Sequence, residues 1–196
     1  MKVLTIAALT GLVGALLVEA APALRKDPRA NLVTNGSFED GPDFEVCRPL
    51  DKDATDLKGW VVTRGQIDIC QEKDGSWKAA DGKRSLDLHG SPGFGGVKQT
   101  LETRAGKKYR VTFQMTGNPQ ANLTEAKLTV RAAGADKEFK VDMTGVTHAD
   151  PKWTKMSWEF TATDKPTVLE IHTAMPATSN PFGGPMVDDV KVVLID

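Results

Sequence analysis

Tyr109-Arg110-Val111-Thr112-Phe113-Gln114-Met115 decides the fold class. Tyr109, Val111, Phe113 and Met115 fall on one side and Arg110, Thr112 and Gln114 on the other, the period of two that a half-buried strand requires. Ala105-Gly106 turns the chain before this run, and Gly117-Asn118-Pro119 breaks it afterwards. The same period recurs on both sides. Downstream, Leu128 and Val130, then Phe139, Val141 and Met143, then Met156, Trp158 and Phe160 alternate with polar residues, and strands follow at 168–172 and 187–195. Upstream lie Val97-Lys98-Gln99-Thr100-Leu101 and Ser85-Leu86-Asp87-Leu88-His89. Two short strands, Gly59-Trp60-Val61-Val62 and Gln66-Ile67-Asp68-Ile69-Cys70, flank Arg64-Gly65. About ten short strands separated by turn signals, without a helical period, predict one all-β sandwich domain.

The first residues stand apart from that pattern. Lys2 precedes an apolar run over 3–18, and small residues at 18–23 offer cleavage sites, the form of a secretory signal peptide. We read 1–20 as that signal, with cleavage as late as 23, 21–30 as a charged leader, and 31–196 as the domain. As a membrane anchor the run is short against the roughly 17–25 residues required. The expected product is secreted or extracellular, with the periplasm a further possibility, and has no transmembrane anchor. A net charge of −1 with interspersed signs gives no basic face for nucleic acid. The two cysteines, Cys47 and Cys70, are most simply one disulfide in an oxidising compartment; a two-cysteine metal site is the weaker alternative.

Residues 41–58 hold Gly, Pro, several Asp and one Cys without a period, and read as a long surface loop pinned by Cys47. Ahead of them, Asn31-Leu32-Val33-Thr34-Asn35-Gly36-Ser37-Phe38-Glu39-Asp40-Gly41-Pro42 places an Asn-Gly turn beside a carboxylate. Such a turn gathers oxygens suited to a hard cation such as Ca²⁺, or is an ordinary polar turn before a strand. Asn35-Gly36-Ser37 and Asn122-Leu123-Thr124 also match the N-glycosylation pattern.

Six motifs occur in a fixed order: the 31–42 stretch, Gly59-Trp60, the Trp77 to Leu88 run with Asp81-Gly82 and Ser85-Leu86, Gln99-Thr100, Gly117-Asn118-Pro119, and Gly184-Pro185-Met186-Val187-Asp188-Asp189-Val190. Together they resemble the choice-of-anchor C family of exported bacterial proteins and a related plant cell-wall family labelled a domain of unknown function. The resemblance implies a galactose-binding-like jelly-roll β-sandwich, similar to carbohydrate-binding modules, and association with polysaccharide or another extracellular glycan. It also implies wall-modifying enzymes such as pectin methylesterases as partners. The chain ends at Val193-Leu194-Ile195-Asp196 without the sorting segment of many bacterial relatives, so secretion is expected rather than surface anchoring. In modules of this fold a structural Ca²⁺ ties the N-terminal turn to the last strand. By that likeness the ligands would be the Ser37 carbonyl, Glu39, Asp188 and, in the middle, Asp81; the alternative is that Glu39 and Asp188 hydrogen-bond loop amides.

Sugar recognition combines an accessible aromatic plate with polar groups that meet hydroxyls. Trp77, Phe94 and Phe182, set among Gly and Pro in loops, are the candidate plates, with Trp153 a fourth and Asn118 and Asp87 possible polar partners. Each loop aromatic could equally plug an end of the sandwich, and Trp60 reads as core. No Gly-x-Ser-x-Gly elbow, His-Glu-x-x-His or P-loop occurs, and His89, His148 and His172 are scattered, so a non-catalytic protein is expected. Two readings stand: a secreted carbohydrate-binding module, or an extracellular structural or protein-interaction sandwich with no sugar site.

Overall fold

The computed structural model describes residues 30–90, 93–163, 166–176 and 182–196. The segments expected to be a signal peptide and, nearly all of it, a leader lie outside the described residues. Eleven strands are described: β1 (Cys47–Asp51), β2 (Val61–Arg64), β3 (Gln66–Gln71), β4 (Arg84–Asp87), β5 (Gly96–Leu101), β6 (Lys108–Gly117), β7 (Glu125–Ala132), β8 (Ala135–Asp142), β9 (Thr154–Thr161), β10 (Thr167–Thr173) and β11 (Pro185–Leu194). They form a six-stranded sheet in the order β1-β3-β4-β11-β6-β9 and a five-stranded sheet in the order β2-β5-β10-β7-β8, with antiparallel pairing throughout. The all-β sandwich expected from the alternation, and the jelly roll implied by the family resemblance, are the fold observed.

The core is the set of inward positions that the alternation marks. Val111, Phe113 and Met115 of β6 stand opposite Trp158, Met156 and Thr154 of β9, and Phe113 meets Phe139 of the other sheet edge-on at 5.1 Å. Phe113, Leu86, Ile67, Ile69, Leu128 and Ile171 are each 1% exposed or less. Burying one such side chain stabilises by about 1.5–3 kcal/mol, so the interface between the sheets dominates the fold energetics.

One sequence expectation is corrected. Residues 47–51 are not loop but an edge strand. Pro49 hides it from a propensity reading, yet an edge strand tolerates a residue without an N–H. In β1 Cys47 lies directly opposite Cys70 of β3, and the two form a disulfide with their Cα atoms 4.1 Å apart. The two short strands expected around Arg64-Gly65 are present and belong to different sheets. Gly65, at φ 50°, carries the chain from β2 to β3, and a side chain there would strike the Gly93 carbonyl.

The 31–36 segment lies alongside β11. Leu32 N donates to Val192 O at 2.8 Å, Val192 N to the Asn31 side chain at 2.9 Å, and Val190 N to Gly36 O at 2.9 Å. A register shift between Asp188 and Lys191 marks a bulge in β11, and Val190 turns to the N-terminal segment there. The positive φ of the turn falls on Asn35 (54°) and Phe38 (61°) rather than on Gly36. Gly36 is needed because a Cβ would sit 2.0 Å from Val190 O. Phe38, fully buried, meets Trp60 at 5.6 Å, and the Trp60 indole donates to Asn35 O. The Asn35 amide is bound to Asp40 O and Lys58 O, which leaves that glycosylation pattern engaged in the fold.

Candidate functional site

On the outward face of the six-stranded sheet polar residues are buried: Ser85, Asp87 and Thr116 are each 1% exposed and Asp188 0%. Two loops cover them. The 72–83 loop gives its Ala80 and Asp81 amides to Asp188 Oδ2 at 2.7 and 2.9 Å, while Thr116 Oγ1 donates to Pro151 O in the 143–153 loop. The loops hold each other as well. Trp77 stacks on His148 at 4.0 Å, Lys78 N donates to His148 O at 3.3 Å, and the Trp153 indole donates to Lys78 O at 2.9 Å.

Where the cover stops, a cleft of about 320 Å³ opens beside the disulfide. Cys47 of β1, Asp68 of β3, Trp77, His89, Asn118 and Phe182 line it. Three of the four residues expected to bind ligand therefore meet in one place. The fourth, Phe94, stands behind, edge-on to His89 at 4.9 Å. Trp77 (φ 57°) and Phe94 (φ 60°) hold left-handed backbone conformations, rare for bulky residues and costing on the order of 1–3 kcal/mol each. Phe182 is 65% exposed.

Asn118 is the hub that shapes this cleft. Its turn chemistry is what the sequence suggests: it caps a short 3₁₀ turn, Pro119–Ala121, by accepting from Gln120 N. Its Nδ2 donates to Asp87 Oδ2 at 2.8 Å, and its backbone N–H to Gly184 O at 2.8 Å. His148 Nε2 lies 3.2 Å from Asn118 Oδ1. Since that oxygen accepts, His148 Nε2 carries the hydrogen. Most of the Asn118 amide is thus spent on joining β4, β6 and the approach to β11.

Asp87 also accepts from His89 N at 2.9 Å, and it stands directly opposite Asp68 in the β3–β4 ladder. Complete burial pushes the Asp87 carboxyl up to about 7, against the pull of its Asn118, His89 and Gly184 donors. Burial also raises Asp68, which opens to the cleft, and lowers His89. His89 is 1% exposed, and among the described residues neither ring nitrogen has a hydrogen-bond partner. Gly184 makes room for it, since a Cβ there would lie 2.4 Å from the His89 Cβ. Asp68 and His89 were missed as site residues because both belong to runs that read as plain alternating strands. Asp87, 1% exposed beneath Asn118, is not placed to reach a substrate as a catalytic acid.

The residues expected to share a calcium ion make these contacts. Glu39 Oε1 accepts from Lys83 N at 2.7 Å and Arg84 N at 2.8 Å. Asp188 takes Ala80 N and Asp81 N on one oxygen and Asp189 N on the other. Asp81 itself is exposed, and Ser37 lies half-buried in the N-terminal turn. Among the described residues no group of three or more His, Cys, Asp and Glu could hold a metal ion.

The architecture is that of carbohydrate-binding modules. TmCBM61 in complex with β-1,4-galactotriose matches with a TM-score of 0.50 and 18% identity, over 85% of this chain and 99% of that one. The N-terminal CBM22-1–CBM22-2 tandem domain of Paenibacillus barcinonensis Xyn10C matches with a TM-score of 0.52 and 16% identity, over 89% of this chain and 47% of that one. At these identities the likeness is one of fold. Residues 31–193 match the family described as "Protein of unknown function (DUF642)", and the chain belongs to it. Halomucin of Haloquadratum walsbyi is 30% identical over 169 residues, which cover 83% of this chain and 2% of that protein's length. Among the described residues no helix is long and apolar enough to cross a membrane.

Proposed function

We infer that the chain is an exported, non-catalytic glycan-binding domain that takes cell-wall or other extracellular polysaccharide in the cleft between Trp77, Asp68, His89 and Phe182. The carrying observation is that Trp77 and Phe182, far apart in sequence, converge on one cleft with the half-buried carboxyl of Asp68. Aromatic faces supply apolar contact to sugar C–H groups, and the half-buried Asp68 carboxylate accepts hydrogen bonds from hydroxyls. The fold shared with carbohydrate-binding modules supports the same reading. The test is affinity electrophoresis on a panel of polysaccharide gels. Wild type is retarded on at least one, and Trp77→Ala, with an unchanged circular dichroism spectrum, migrates freely on it. Free migration of the wild type on every gel favours the protein-interaction sandwich instead.

A further inference from the structure

Resting on that reading of the cleft, we propose that it selects uncharged sugar chains and turns away uronate-bearing ones, with Asp68 as the discriminating group. Among the described residues Asp68 is the charged side chain in the cleft wall, and no lysine or arginine lines the cleft. Directly across the β3–β4 ladder stands a second carboxyl, Asp87, sealed beneath Asn118. The wall is therefore acidic, without a basic group to compensate it.

The hydrogen-bonding inventory points the same way. Asp87 has its donors from Asn118 and His89 N, whereas burial raises the Asp68 carboxyl and no hydrogen-bond donor to it is seen among the described residues. An ionised carboxylate only accepts, so Asp68 needs hydrogen atoms from the ligand. A sugar hydroxyl donates one; a uronate carboxylate brings another acceptor and another negative charge. His89 does not reverse this. It is 1% exposed with both ring nitrogens unpartnered among the described residues, and burial holds it in the neutral form. A neutral imidazole gives a carboxylate no counter-charge.

The experiment is affinity electrophoresis at pH 8 on gels of β-1,4-galactan, xylan and glucomannan, all uncharged, beside polygalacturonate and its methyl ester. The expected result is retardation on at least one uncharged polymer at least tenfold stronger than on polygalacturonate. Asp68→Asn is expected to narrow that ratio at least fivefold, and the same variant run on the methyl ester separates loss of charge repulsion from loss of folding. Equal or stronger retardation of the wild type by polygalacturonate overturns the selectivity while leaving the sugar site standing, as does an Asp68→Asn ratio unchanged from wild type. Free migration on all five gels overturns the sugar site itself, and the selectivity with it.

Discussion

Asn118 Nδ2 donates to Asp87 Oδ2 at 2.8 Å, and this bond ties the end of β6 to the end of β4 under the floor of the cleft. Asn118→Ala strips a buried carboxyl of a donor and releases Gln120 N and His148 from their acceptor. Stability should fall by about 2–3 kcal/mol in urea unfolding. A loss below about 0.5 kcal/mol, the scale of an ordinary surface substitution, would mean that the hub carries no strain of the fold.

The two raised carboxyls set a pH dependence. Asp87 and Asp188 are both pushed up to about 7 by burial, so the folded chain holds protons that the unfolded chain has released. Their stabilisation is complete below the ordinary aspartate range and is lost as pH rises through about 7. The lowered His89 and His148 act oppositely, but mostly below pH 6.5. Net stability should fall by about 1–2 kcal/mol between about pH 6.5 and pH 8, read by urea unfolding at each pH. Carboxyl carbon NMR should show two aspartates titrating in that interval, and stability that rises across it would contradict the burial of Asp87.

Gly36→Ala places a methyl group 2.0 Å from the Val190 carbonyl oxygen, where only backbone could yield. The N-terminal segment must then leave β11 or push the bulge outward. About 3 kcal/mol of destabilisation is expected, at the upper end of overpacking costs. Thermal unfolding checks it, and a neutral outcome would mean that the segment is not seated against β11.

Reduction of Cys47–Cys70 releases the edge strand whose first residue walls the cleft. The paired Cys→Ser variant should lose about 3 kcal/mol. Its retardation on a polysaccharide gel should weaken even at temperatures where the sandwich remains folded.

Glu39 and Asp188 hold the 80–84 turn from both ends of the domain through amide hydrogen bonds. If that clasp is complete without a cation, millimolar Ca²⁺ added to EDTA-treated protein leaves the unfolding temperature where it was. A rise of several degrees would instead assign these carboxylates to the metal.

The parts of the fold that sequence reveals are those that one physical rule controls. The β6 run is buried on one face and wet on the other, so its residues alternate and its identity is plain. β1 is invisible because an edge strand with Pro49 needs neither alternation nor a full set of donors. The aromatics of the cleft are recognisable as loop residues, and Trp77 and Phe182 do meet. Asp68 and His89 are not recognisable, because their burial comes from loops laid over the sheet, and loop conformation leaves no period in the sequence. Asn118 reads as a turn residue and is one. The second use of its side chain depends on Asp87 and His148, each 30 or so positions away.

The bonds between the 31–36 segment and β11 span a sequence separation as long as 161 residues. Nothing synthesised early can supply those partners. A chain emerging residue by residue must carry Leu32 and Gly36 unsatisfied until the last strand is available. Closing so large a loop slows folding, since its entropy is lost before any contact compensates it. Under the export proposed above, which would thread the chain across a membrane before it folds, late closure is an advantage: the sandwich cannot lock until the whole domain has passed.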